Sequence, residues 1–295
     1  MIKRTIYIGN PSYLKLKQQQ LVVQEPGNQK IKGTVPIEDI AILMLDHYQI
    51  TISNRLLVQL QGNNVVVISC DAHHLPSGMM LPMHGHTEYS ERIKHQLAAS
   101  EPLKKQLWKQ TVEQKIKNQK AVLDLNQKVS EPLEEYRLTV KSGDTTNREG
   151  IAAQYYWKHL FKNFSRERFG EAPNNLLNFG YAVLRSIVAR AIVSSGLLPV
   201  LGIFHRNKYN PYCLADDIME PYRPFVDKLV YNYILSSNNS ELTKDAKTTI
   251  LTIATQDVFI DGLLRPLFVA ITTTTASLYK CYTGELRQIK YPKLD

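Results

Sequence analysis

The spacing of apolar residues changes once along this chain, and that change limits the folds open to it. Over the first 75 or so residues the pattern is short and strand-like. Leu14 and Leu16 alternate with Lys15 and Lys17, and runs at 5–8, 21–23, 40–45 and 65–69 have strand length. Turn signals punctuate them at Gly9-Asn10-Pro11 and Pro26-Gly27-Asn28. Ser53 stands where it can cap a short helix carrying Leu56, Leu57 and Leu60, which Gly62-Asn63-Asn64 stops. From 76 to 90 the chain turns to Pro, Gly, Met and His, the composition of a linker that can hold one strand.

Beyond residue 90 the spacing is helical. Ser100 with Pro102 starts a helix in which Leu103, Leu107, Val112, Ile116 and Leu123 recur. Ile151, Ala152, Tyr155, Tyr156, His159 and Leu160 form an amphipathic stripe. Residues 179–195 read as a buried helix, 224–235 as another, and 259–282 as one or two more. The expectation is an α+β protein: a small N-terminal β-sheet domain (1–76), a linker (77–90) and a larger all-α C-terminal domain (91–295). The longest uncharged apolar segment, 191–204, holds 14 residues with Gly196 and Pro199 inside it, short of a membrane span.

Lys and Arg number 36 against 27 Asp and Glu, a formal charge of +9, which favours a polyanionic partner. Residues 1–78 hold 7 basic and 5 acidic side chains, so most of the excess lies beyond them. Three widely spaced cysteines, Cys70, Cys213 and Cys281, indicate neither a disulfide framework nor a cysteine zinc site and suit a reducing cytoplasm. No P-loop, G-x-G-x-x-G, G-x-S-x-G or H-E-x-x-H string occurs, which leaves nucleotide-driven chemistry and common hydrolase schemes without support.

Three places can carry chemistry. In Asp216-Asp217-Ile218-Met219-Glu220-Pro221-Tyr222-Arg223-Pro224, carboxylates three and four apart share a helix face and repel one another. They call for a divalent metal or for Arg223, unless they merely begin a surface helix; Pro221 bends the chain there. His205, at the end of a buried run, can ligate a metal or be a structural histidine. Thr146-Asn147-Arg148-Glu149 fits a capping box, so Glu149 can satisfy a helix N–H or point outward as a ligand. The linker-region histidines (His73, His74, His84 and His86) have no carboxylate spacing that completes a metal site. Basic side chains around these places, interleaved with aromatics, suit phosphate contact and base stacking: Arg148, Arg166, Arg168, Arg206, Lys208 and Arg223.

Taken in order, Glu149, then His205 after Leu201-Gly202-Ile203-Phe204, then Leu214-Ala215 leading into the acidic string, closely resemble the catalytic integrase subunit of CRISPR spacer acquisition, the first CRISPR-associated protein. Tyr7-Ile8-Gly9-Asn10, Lys115-Ile116-Lys117-Asn118-Gln119 and the stretch from Asp261-Gly262-Leu263 to Ala270-Ile271 also look like that family, and the Lys115 region looks like its type II version. The resemblance implies an N-terminal β domain that dimerises and a helical catalytic domain. It puts metal ligands at Glu149, His205 and Glu220, with Asp217 a further acidic catalytic position; many members carry Asp where Glu220 stands. Two carboxylates and an imidazole suit Mg²⁺ or Mn²⁺. The implied reaction joins the 3′-hydroxyl of a captured DNA fragment to a CRISPR repeat phosphodiester by transesterification. The implied partners are DNA, a second copy of the chain and a small second adaptation protein, with no membrane. A structure-specific repair nuclease and a non-enzymatic nucleic-acid-binding module are the alternatives.

Overall fold

A computed structural model describes residues 3–28, 30–83, 85–167 and 170–294. The chain separates into two compact units, 1–85 and 86–295.

The first unit holds two four-stranded sheets. One has the order β1 (Arg4–Ile8), β5 (Ile40–Leu45), β7 (Val66–Cys70), β8 (Pro76–Met80); its first three strands run parallel and β8 is antiparallel to β7. The other has the order β4 (Ile31–Pro36), β3 (Gln20–Gln24), β2 (Ser12–Lys17), β6 (Ile50–Ile52). Ile40 to Met44 are all buried, as a strand covered on both faces requires. Helix α1 (Asn54–Gly62) contributes Leu56 and Leu60 to a core with Leu14, Leu21, Ile37, Ile40 and Leu43. β8 lies in the segment expected as linker, paired along the sheet edge. The β2–β3 hairpin turns on Gln18 and Gln19, both at positive φ, without the Asn or Gly that usually signals such a turn.

The second unit is mainly helical: α2 (Tyr89–Ala98), α3 (Glu101–Leu125), α4 (Glu131–Leu138), α5 (Arg148–Leu160), α6 (Asn174–Ser194), α7 (Cys213–Met219), α8 (Arg223–Ser237), α9 (Lys244–Leu251) and α10 (Leu267–Tyr282). It is not all-α. Residues 257–266 form a hairpin of β9 (Asp257–Ile260) and β10 (Leu263–Pro266) rather than the start of a helix. The reason is local: Asp261-Gly262 supplies the two positive-φ positions of a two-residue turn, and Val258 and Ile260 are buried in alternation with exposed neighbours. Helix α6 is long and apolar enough to cross a membrane, but its side chains are mostly buried inside the protein.

Two features of α3 position the site. Its inward face buries Leu107, Trp108, Val112 and Ile116. A polar line one turn apart, Gln110, Gln114 and Asn118, binds the carbonyls of Arg287 and Pro292 in the returning C-terminal segment, at 2.9 to 3.1 Å. Asn118 also donates to the carbonyl of Pro221 at 2.7 Å, fixing the turn that follows α7.

Candidate active site

Pro221 interrupts the helix as its missing N–H demands. α7 ends at Met219, a single 3₁₀ turn covers Glu220–Tyr222, and α8 begins at Arg223. The break sends the three neighbouring carboxylates to three different partners. Asp216 takes a two-pronged bond from Arg185, at 2.6 and 2.8 Å. Asp217, fully buried, accepts from the backbone N–H groups of Ile203, Phe204 and His205 and binds Nδ1 of His205 at 2.6 Å. Glu220, 4% exposed, has Arg223 Nε 2.9 Å from Oε1 and Lys115 Nζ 2.6 Å from Oε2.

Glu149 enters from α5, whose left-handed N-cap is Asn147. The capping-box reading does not hold. Asp144 accepts the N–H groups of Arg148 and Glu149 at 2.8 and 3.0 Å, and Asn147 accepts that of Gly150. Two other side chains therefore satisfy the helix start. The Glu149 carboxylate instead meets Lys115 Nζ at 2.7 Å. One ammonium thus bridges Glu149 and Glu220, which arrive from distant parts of the chain. His205 lies close enough for both carboxylates to add to its charge environment.

The electrostatics follow from these contacts. Burial would lower Lys115, but Glu220 and Glu149 hold its ammonium above the usual range. Burial would raise Glu220, and Arg223 with Lys115 outweighs it and keeps the carboxyl below its usual value. The Asp217 hydrogen bond pushes His205 up against the opposing effect of burial. With Nδ1 engaged by Asp217, Nε2 is the nitrogen left to act, the arrangement by which a carboxylate fixes a ligating imidazole. Gly202 makes this possible. A Cβ there would stand 2.4 Å from the His205 carbonyl and 2.8 Å from Asp217 Oδ2, so only glycine lets the loop wrap the carboxylate. Behind the loop Trp108 stacks on Phe204 at 4.3 Å and meets His205 edge-on at 5.7 Å.

Among the described residues no three His, Cys, Asp or Glu side chains form a ready-made metal cluster. The arrangement is two carboxylates around one cation, with an imidazole oriented by Asp217 near enough to feel both of their charges. That donor set is the hard oxygen-and-nitrogen type that suits Mg²⁺ or Mn²⁺. A cavity of about 380 Å³ adjoins His205, with Lys104, Arg206 and Lys208 in its wall.

The basic candidates divide. Arg223 is tied to Glu220 and lies over the Tyr181 ring; Arg166 donates to Asn174 and Asn178 at 2.7 Å each. Arg148 lies over Tyr136, Arg206 pairs with Glu101 at the surface, and Lys208 stands over Tyr209. Arg168 and His84 lie outside the described residues. Sequence reasoning placed Lys115 only within a familiar-looking stretch and missed Asp144 and Arg185. A lysine at a buried-face spacing on α3 was the available signal for the first.

The chain matches the family model for CRISPR associated protein Cas1 over residues 6–263. It is 36% identical over 298 residues to the CRISPR-associated endonuclease Cas1 of Neisseria meningitidis serogroup C (strain 8013), covering 100% of this chain and 97% of that relative. It is 30% identical over 241 residues to CRISPR-associated endonuclease Cas1 1 of Francisella tularensis subsp. novicida (strain U112), covering 74% of each. Among solved structures, a casposase bound to integration product superposes with a TM-score of 0.80 at 21% identity, covering 98% of this chain and 92% of that one. A Cas1 protein from Thermotoga maritima gives 0.80 at 17%, covering 95% and 97%. A chain of a Cas6-RT-Cas1–Cas2 complex gives 0.74 at 18%, covering 97% of this chain and 35% of that one. With a family model spanning most of its length and a relative of this identity along all of it, the chain belongs to the Cas1 family.

Proposed function

We propose that this protein is a metal-dependent DNA integrase of CRISPR adaptation. The observation that carries the proposal is the convergence of Glu149 and Glu220 on one cation, within electrostatic reach of an imidazole whose Nδ1 is already fixed by Asp217. Glu149, Glu220 and Nε2 of His205 would hold Mg²⁺ or Mn²⁺. Bound there, the ion supplies Lewis-acid polarisation of a phosphodiester and a more nucleophilic hydroxyl.

The chain's own residues do the rest. Asp217 holds the His205 ring in one tautomer and orientation. Arg223 anchors one oxygen of Glu220 and leaves the other facing Lys115. Arg206 and Lys208, near His205, offer phosphate contacts. In the reaction a DNA 3′-hydroxyl gives up its proton as its oxygen forms the new bond to phosphorus, the target strand's P–O bond breaks, and the departing oxygen takes up a proton, so that protons and phosphodiesters both balance. One phosphodiester replaces another, so no nucleotide is consumed, in keeping with the missing nucleotide-binding strings. With water as the nucleophile the same site would cleave DNA, in keeping with the word endonuclease in the relatives' names.

Structures of a casposase with integration product and of a Cas1–Cas2 assembly support DNA as substrate and a small adaptation protein of the Cas2 kind as partner. The family also suggests a homodimer made through the N-terminal unit.

Labelled DNA fragments with a free or a blocked 3′-hydroxyl, offered with a repeat-containing target, test the proposal. Joining is expected only with the free hydroxyl and only with Mg²⁺ or Mn²⁺ present. It should be lost in Glu220→Ala and His205→Ala proteins that still fold and bind DNA. Joining that ignores the block or survives a chelator refutes the assignment.

A further inference from the structure

We infer that Lys115 is a built-in counter-cation for this site, and that divalent metal binds only as its ammonium leaves the gap between Glu149 and Glu220. The inference rests on the proposed metal site. Nζ lies 2.7 Å from Glu149 Oε1 and 2.6 Å from Glu220 Oε2. An ion bonded to both oxygens at about 2.1 Å would stand less than about 5 Å from Nζ on any geometry, and like charges that close repel.

The two cations on Glu220 are not equivalent. Arg223 is planar, pairs with Oε1 at 2.9 Å and lies over the Tyr181 ring at 4.7 Å, which together hold its guanidinium in place. Lys115 reaches the site on a flexible four-carbon stem and keeps 11% of its side chain exposed, so it has a way out. Its helix cannot move with it, because Asn118 one turn on is locked to the carbonyls of Pro221 and Pro292. Glu220 Oε2, although 2.6 Å from Nζ, makes no well-aligned hydrogen bond, and neither does Arg223 Nε, so both contacts are charge pairing and it is the flexible stem that makes Lys115 the one another cation can displace. Lys115 therefore keeps the carboxylates together before metal arrives and competes with metal for them.

Titration calorimetry with Mn²⁺ on the full chain compares wild type with Lys115→Met. The variant should bind Mn²⁺ at least about tenfold tighter and melt lower than wild type in chelator, with Mn²⁺ restoring the difference. In wild type, acetic anhydride labelling read by mass spectrometry should rise several-fold at Lys115 on adding Mn²⁺ and stay constant at Lys120, which pairs with Asp124 elsewhere on α3. Equal or weaker Mn²⁺ binding by the variant, or Lys115 labelling that ignores Mn²⁺, overturns the inference and leaves the metal site standing. Failure of both proteins to bind Mn²⁺ overturns the metal reading and this inference with it. Should the variant not fold, the wild-type labelling decides alone.

Discussion

Glu220, in the 3₁₀ turn just before α8, and Asp227, near the start of α8, are both hidden from water, and their chemistry is opposite. Glu220 is surrounded by Lys115 and Arg223 and stays charged. Asp227, 1% exposed, receives two phenol hydroxyls, from Tyr181 at 2.5 Å and Tyr156 at 3.1 Å, while Arg223 and Arg166 reach it only as weaker, more distant charges. Burial pushes its carboxyl up to about 7, and the tyrosines, with the charges of Arg223 and Arg166, pull back only part of the way. The first group is arranged to hold a cation. The second ties α5, α6 and α8 together as a hydrogen-bond hub and asks for no charge at all. Burial alone therefore says nothing about whether a carboxylate is functional; the charge of its neighbours decides.

The contrast can be broken most forcefully by removing each charge in turn. Glu220→Gln keeps the side chain's size and should lower strand transfer by about 10²–10³-fold or more, a loss of the scale seen for key electrostatic groups. Asp227→Asn should leave the rate within a few-fold. Equal losses measured in the same joining assay would erase the distinction.

Asp217→Asn sits between these extremes. It removes the charge that orients His205, and supporting partners of this kind are worth about 10–100-fold in metal affinity. The His205 pKa should also fall, as imidazole proton shifts in an NMR titration would show, because the Asp217 hydrogen bond is the main cause of its rise.

The two carboxyls should also tilt stability in opposite directions with pH. Asp227 has a folded pKa of about 7 against an ordinary 3.8. The unfolded chain then loses this proton first, and stability falls as pH rises from about 4 to 7 before levelling off. Asp227→Asn should remove that slope and gain on wild type by on the order of a few kcal/mol between pH 4 and 7, read from denaturant melts. Glu220, held below its ordinary 4.5, adds stability above that value and loses it as pH falls through the lowered one. Glu220→Gln should accordingly flatten the acid limb instead. The smallest expected effect is that of Tyr156→Phe, which removes one hydroxyl from Asp227 and should cost about 1 kcal/mol at pH 5.

Much of this was legible in the amino-acid order. The strand-to-helix change, the buried helix before residue 195 and the proline break after Glu220 follow from spacing and from the chemistry of Pro221, and the structure shows each. The hairpin at 257–266 was written just as openly in Asp261-Gly262, yet the apolar run after it invited a helix. Glu149 was ambiguous for a physical reason: a glutamate near a helix start can bond backward to an N–H or outward to a cation, and local sequence permits both. Only the arrival of Asp144 at that helix start, supplying the acceptor, freed Glu149 for Lys115.

The sequence by itself determined where the chain bends, which faces are apolar and which residue types are on hand, because backbone propensity and hydrophobic period act over a few neighbours. Which carboxylate met which cation was decided by tertiary structure alone. Asp216, Asp217 and Glu220 are near-neighbours with the same chemistry, and they differ only in what α6, the 201–205 loop and α3 bring to them: Arg185, His205 with its adjacent backbone, and Lys115. Charge pairing depends on distance in space, and residues remote along the chain supply it.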